Sequence, residues 1–252
     1  MKKLTMSKAT LLPHCRYWLR DDGPEWQVDE PGYPALVGTT VGKMAELYAT
    51  FPGAEDIELE TDRMASPPYI QRRTLKLWAQ LRRWLDKNHT PNWEPEIAYS
   101  LDPVTLQGSR LGFVGDRKYP NTNNINGTVD VVNEAIGSIR DYKCTHQAPW
   151  PRYWPQLGML ALAAFGDEAK AIELVHVTEL GVNSMVMPLT PAKMQSVRKR
   201  VRAHLDGVPD SEAMPGEHCA KLYCPARFTC PQSTAKKTER EKQNETRSPA
   251  VQ

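Results

Sequence analysis

Ile125 to Cys144 reads I-N-G-T-V-D-V-V-N-E-A-I-G-S-I-R-D-Y-K-C. β-Branched residues fill both arms, and the turn-forming stretch Glu134 to Gly137 separates them, so the spacing predicts two strands joined by a four-residue loop. That register sets Asp130 opposite Asp141. Side chains alternate along a strand, so both carboxylates and Lys143 take one face, while Val129, Val131, Arg140 and Tyr142 take the other. Two neighbouring carboxylates repel in a half-buried place unless a cation lies between them. A divalent ion such as Mg²⁺ or Mn²⁺ satisfies the pair, because one or two carboxylates plus water and phosphate oxygens complete its shell. Such an ion activates water and neutralises charge on a phosphate, and a neighbouring lysine adds to both effects. The residues thus outline a phosphodiester-hydrolysing site. An isolated D-x-K triplet is more often an ordinary ion pair on a surface hairpin, so the weight falls on its surroundings.

Working outward, the first third of the chain has helical spacing. A short helix is expected to hold Cys15, Trp18 and Leu19, and a second to run from Thr39 or Thr40 to Phe51 through Val41, Met44, Ala45 and Tyr48. A third, from Gln71 to Asn88, sets Leu75, Trp78, Leu81 and Leu85 on one stripe and Arg72, Arg73, Lys76, Arg82, Arg83 and Lys87 on the rest. Strands follow near Glu96 to Ser100 and Arg110 to Val114, ahead of the hairpin at Ile125 to Val132 and Ser138 to Cys144. Beyond it lie a Leu- and Ala-rich helix from Arg152 to Phe165, then strands at Ala171 to Thr178 and Met185 to Leu189. Thr190 caps a last helix with Pro191 at its first position; Met194, Val197, Val201 and Leu205 point inward, Lys193, Arg198, Lys199, Arg200 and Arg202 outward, and Gly207 ends it. Gly127 marks a turn or a close backbone approach. This order predicts one mixed α/β domain, a central mixed sheet flanked by helices, over residues 1–232, with a disordered tail over 233–252.

Composition narrows the class. The chain has 252 residues, 40% hydrophobic and 25% charged, enough for a substantial core and unlike a chain disordered throughout. Met159 to Phe165 is the longest apolar run, far below the roughly 20 residues of a membrane span. Thr5, Ser7 and Lys8 interrupt any apolar segment behind Lys2 and Lys3, so a cytoplasmic location is expected. A net charge of +2 leaves the partner open.

Five cysteines in such a chain are better read as ligands, nucleophiles or core residues than as disulfides. Cys219, Cys224 and Cys230 fall within a short C-terminal stretch, E-H-C-A-K-L-Y-C-P-A-R-F-T-C-P, that lacks the C-x-x-C of a zinc knuckle. Iron-sulfur clusters commonly take four thiolates, so a fourth would come from Cys15 or Cys144; alternation turns Cys144 away from Lys143, towards the core.

G-T-V-D-V-V, R-D-Y-K and then P-Q-L-G-M-L-A-L-A-A on a helix together resemble the PD-(D/E)XK nuclease superfamily, in its RecB-like branch. That branch carries G-T-x-x-H on a helix, G-x-x-D and D/E-x-K on strands, and Q-x-x-x-Y on a helix. The matching residues are Gly38 and Thr39, Gly127 and Asp130, Asp141 and Lys143, and Gln156. Gly42 stands where the family has its histidine, and Leu160 where it has its tyrosine. The resemblance implies a restriction-endonuclease-like core and a metal-dependent deoxyribonuclease, with Asp130 and Asp141 as ligands of Mg²⁺ or Mn²⁺, Lys143 assisting the attacking water and Gln156 touching DNA or bracing the strand. Glu46, one turn beyond Gly42, is the candidate to replace the histidine as a metal ligand, and Glu96 matches a position often acidic in such proteins. Some members, among them AddB subunits and CRISPR-adaptation nucleases, hold a [4Fe-4S] cluster on one early and three late cysteines, which here implies Cys15, Cys219, Cys224 and Cys230; Zn²⁺ is the alternative. Implied partners are DNA, met by the basic helix faces, and a helicase or a recombination or CRISPR-adaptation protein. The missing histidine leaves a second reading open, a catalytically weak or inactive nuclease-like module that binds DNA or a protein.

Overall fold

A computed structural model describes residues 4–9, 12, 14–15, 33–51, 67–114, 119–120, 123–144, 150–206, 224, 226 and 230. In chain order these form α1 (Met6–Ala9), α2 (Tyr33–Thr50), α3 (Pro68–Asn88), β1 (Glu94–Leu101), β2 (Gly108–Phe113), β3 (Ile125–Asn133), β4 (Ser138–Lys143), α4 (Trp150–Phe165), β5 (Ala171–Thr178), β6 (Gly181–Pro188) and α5 (Pro191–Asp206). Six strands make one mixed sheet in the order β2-β1-β3-β4-β5-β6. Neighbours run antiparallel except β4 and β5, which are parallel because α4 carries the chain back over the sheet between them. The tail, 233–252, lies outside the described residues.

Helices cover both faces. Val37, Val41, Met44, Tyr48, Trp78, Leu81 and Leu85 of α2 and α3 pack on Val131, Tyr142, Val175 and Val177. On the other face α1, α4 and α5 bring Met6, Leu157, Leu160, Val197 and Val201 against Ile125, Ile139, Ile172 and Leu174. The expected inward residues of α5, Met194, Val197, Val201 and Leu205, are all buried, and Thr190 Oγ1 accepts the Lys193 N–H at 3.3 Å as its cap. On α3 the buried stripe is Ile70, Thr74, Leu77, Trp78, Leu81 and Leu85, with Leu75 at its edge instead of its centre.

Three elements differ most from their expected extents. Helix α2 starts at Tyr33, several residues early, because Pro34 is preorganised for a first turn and Leu36 and Val37 already pack on the core. Strand β6 begins at Gly181, since a tight turn after Thr178 lets all of β6 pair with β5; Gly181, Asn183 and Ser184 have low strand propensity, and the partner decides. The first described helix is Met6–Ala9, and Cys15 lies beyond it in irregular chain; Trp18 and Leu19 lie outside the described residues.

Two glycines let α4 lie directly on the sheet. A Cβ at Gly127 would sit 2.8 Å from Met6 Sδ and 3.0 Å from a Leu160 methyl, and one at Gly108 would sit 2.0 Å from the Ala163 carbonyl oxygen. With Lys143 under Tyr153, α4 thus touches β4, β3 and β2 in turn through Tyr153, Leu160 and Ala163. It follows that Gly127→Ala, which presses on flexible side chains, should destabilise by about 1 kcal/mol, and Gly108→Ala, which presses on a helix backbone, by about 3 kcal/mol or more. Urea midpoints at unchanged slope check this; equal losses would contradict the placement of α4.

Candidate active site

Strands β3 and β4 pair over Val131↔Arg140, Val132↔Ile139 and Asn133↔Ser138, closed by the turn at Glu134–Ile136 and by Gly137 in a left-handed conformation (φ 62°). The next step of that register sets Asp130 opposite Asp141, as the sequence predicts, and there the backbone ladder stops. The Tyr142 N–H donates instead to Asp130 Oδ2 at 2.8 Å. Further along, the edge of β3 is taken by the N-terminal segment: Asn126 N–H donates to the Leu4 carbonyl and Thr5 bridges Asn126 in parallel. The strands therefore part where the two carboxylates lie, and a side chain and the chain start satisfy backbone groups that the parting exposes.

Asp141 is 4% exposed. Its Oδ2 lies 2.6 Å from the Lys143 ammonium, which also stands 4.8 Å from the centre of the Tyr153 ring on α4. Burial would pull the lysine pKa down, but Asp141 and then Asp130 outweigh it and hold the group above its ordinary range. Lys143 is therefore a fixed positive charge between α4 and the strand opening. Tyr153 was not foreseen. Its place three residues before Gln156 on the same helix, hence on the same side, was the available signal.

The strain in the neighbourhood sits on Glu96. The β1–β3 register runs from Glu94↔Val132 to Leu101↔Ile125 and skips one step, Glu96 opposite Asp130; Glu96 has φ 52°, which costs an L-residue about 1–2 kcal/mol. Alternation breaks at this step: Val131 packs under α2 and α3, whereas Val129 joins Ile97 in the α4-side core, which corrects the expectation that Val129 faces the other way.

On the opposite face Arg140 is clamped. Its guanidinium stacks 4.0 Å from Trp93 and 4.7 Å from Trp84, and Nε donates to Glu173 Oε2 at 2.7 Å. Tyr142 and Cys144 share that face, and burial pushes the Cys144 thiol up to about 12, so it is a core thiol with no tendency to ionise.

The remaining candidates are dispersed. Glu46, on α2, accepts both contacts of Lys43, at 2.8 and 2.9 Å. A Cβ at Gly42 or Gly38 would meet nothing within 4 Å, so the missing histidine is not excluded by crowding. Gln156 is half-buried on α4 between Tyr153 and Leu160. Leu160 lies against Gly127, a contact that accounts for a compact side chain where the family has tyrosine. Cys15, Cys224 and Cys230 belong to one buried group on the α4 side, away from Cys144; Cys219 lies outside the described residues. Among the described residues no group of three or more His, Cys, Asp or Glu side chains is arranged to hold a metal ion. Part of the basic surface is engaged within the fold: Arg73 and Lys76 pair with Glu179, Arg198 with Asp167, and Arg202 donates to the Pro103 carbonyl. Lys199 and Arg200 face outward.

Glycine adopts positive φ without a Cβ clash, so Glu96→Gly should raise stability by about 1 kcal/mol, read as a higher urea midpoint. A lower midpoint would show that contacts of the carboxylate outweigh the strain.

Among solved structures, the crystal structure of SSO0001 is similar over 82% of this chain and 89% of its own, at 16% identity and a TM-score of 0.34. The crystal structure of LHK-Exo in complex with dAMP is similar over 68% of this chain and 87% of its own, at 14% identity and a TM-score of 0.32. No curated protein matches the chain. The model of the PD-(D/E)XK nuclease superfamily matches residues 4–231, a span that takes in every strand and helix described, and the chain belongs to that superfamily.

Proposed function

We propose that this protein is a Mg²⁺- or Mn²⁺-dependent deoxyribonuclease of the RecB-like branch, with Asp130, Asp141 and Lys143 as its catalytic core. The observation that carries the reading is the opposition of Asp130 and Asp141 where β3 and β4 part, with Lys143 beside them. Oxygen donors alone suit a hard divalent cation, and two carboxylates suffice when water and phosphate supply the other ligands. When bound, that cation supplies an activated water and a charge against the phosphate. Lys143 offers the same phosphate a fixed donor, and in this reading Gln156, one turn along α4 from Tyr153, contacts DNA or braces the active-site strand. Glu46, bound by Lys43 on α2 and not grouped with the two aspartates in the structure, would join them as a further ligand only on rearrangement. The motif residues stand on α2, β3, β4 and α4 in the order of the RecB-like pattern, which supports the branch.

The test is cleavage of single- and double-stranded DNA, linear and circular, with each metal. Parent protein should cleave and Asp141→Ala should fall to background. Cleavage unaltered by that change would overturn the assignment, and binding without cleavage would favour the non-catalytic module that Gly42 keeps open.

A structural [4Fe-4S] cluster on Cys15, Cys219, Cys224 and Cys230 belongs to the same proposal. The cysteine spacing of the RecB-like pattern is what suggests it; Cys15 and Cys224 are buried in the α4-side core and Cys230 packs against it, and such a cluster would tie an early segment to a late one across nearly the whole domain. Anaerobically purified protein should be brown, hold iron and acid-labile sulfide, and lose its visible absorption and much of its thermal stability on oxidation. A colourless, zinc-containing protein would overturn the cluster. A cytoplasmic role on DNA, beside a helicase, recombination or CRISPR-adaptation partner, completes the proposal; among the described residues no helix is long and apolar enough to cross a membrane.

A further inference from the structure

Lys143 stands at the end of β4, and its flexible stem leaves the ammonium many positions. Three contacts restrict it. Nζ lies 2.6 Å from Asp141 Oδ2, donates a long bond of 3.5 Å to the Tyr142 carbonyl, and stands 4.8 Å from the centre of the Tyr153 ring, within the range of a cation–π interaction. The lysine side chain is only 19% exposed, so little water competes for it and the contact counts for more than on an open surface. The ring itself is held in place by the seating of α4. Leu160 rests on Gly127 and the Ala163 backbone on Gly108, so the helix has little freedom to slide.

The structure assigns Tyr153 as the positioning residue for Lys143: its ring face holds the ammonium at the strand opening, next to the carboxylates, independently of the Asp141 contact. Gln156 and Leu160, the family's helix positions, do not make this contact in the structure; the ring comes from the turn before them. The ring face does the holding, so phenylalanine should serve and an aliphatic residue should not.

In its kinetic arm the inference rests on the nuclease reading, and in its spectroscopic arm it does not. In the first, Tyr153→Phe should cleave DNA within about twofold of the parent, while Tyr153→Leu should lower kcat by about threefold to thirtyfold with KM for DNA held within about twofold. In the second, the NMR signals of the Lys143 ε-methylene, identified by their loss in Lys143→Arg, should be displaced by the ring in the parent and in Tyr153→Phe, and should return to the ordinary lysine position in Tyr153→Leu.

Unchanged kcat and an unchanged Lys143 signal in Tyr153→Leu would overturn the assignment. So would equal losses in the Phe and Leu variants, which would point to the hydroxyl, or a rise in KM alone, which would point to direct DNA contact. Should Tyr153→Leu fail to fold, pentafluorophenylalanine at position 153 keeps the shape and reverses the electrostatics of the ring face; the same fall in kcat is expected, and no fall overturns the inference. If the parent itself cleaves no DNA, the nuclease reading fails while the NMR comparison still decides the role of Tyr153.

Discussion

Two carboxylates facing each other across neighbouring strands repel, and burial magnifies the repulsion. Asp130 and Asp141 are in that position, and the structure around them is organised to tolerate it. The ladder between β3 and β4 stops at Val131↔Arg140, one step before the pair would meet. Asp130 turns its charge to the Tyr142 N–H, and Asp141 turns its own to Lys143. Each carboxylate thus has a partner of its own, the Tyr142 N–H for Asp130 and the Lys143 ammonium for Asp141, and losing either partner would leave a group of low exposure uncompensated, so the partners keep the separated strands tolerable.

The rest of the fold supplies what that opening requires. Once β4 leaves β3, the outer edge of β3 needs partners, and Leu4 and Thr5 provide them. The chain start is held there by Met6 against Gly127, beside Leu160, so one glycine serves both α1 and α4. On the far face Arg140, immediately before Asp141, is held by Trp84, Trp93 and Glu173. A planar guanidinium held over two indoles and bonded through Nε has little freedom, and alternation converts that rigidity into a set direction for Asp141 and Lys143. Glu96, in a costly left-handed conformation opposite Asp130, completes the distortion; strain of this kind persists only where surrounding structure imposes it.

Much of this was legible in the chain. The hairpin register follows from two β-branched runs and a four-residue turn, because a one-residue slip would carry Val131, Tyr142 and Ile139 to the wrong faces. Helix α5 was equally readable from its Thr190 cap, Pro191 and regular inward stripe. The misread elements failed for a common reason. Gly181, Asn183 and Ser184 in β6 carry weak strand preference, which pairing with the adjoining β5 overrules, and the start of α2 falls ahead of the regular apolar stripe, where packing of Leu36 and Val37 on the core extends the helix. Val129 was placed on the wrong face because alternation assumes a regular ladder, and the β1–β3 ladder is interrupted where Glu96 stands opposite Asp130.

By itself the sequence determined that Asp130 falls opposite Asp141 with Lys143 close by: the three are separated by a turn and one residue, and such short-range spacing translates directly into strand geometry. It also determined the layered α/β plan, since periodicities of two and of 3.6 residues are local properties. Only the tertiary structure decided that β3 and β4 separate at the carboxylates, that Glu96 is strained against them, and that Tyr153 lies over Lys143. Each of these is set by groups that meet across the sheet from α4, β1 and the start of the chain, and no local pattern records where a helix seated on two glycines will place its side chains.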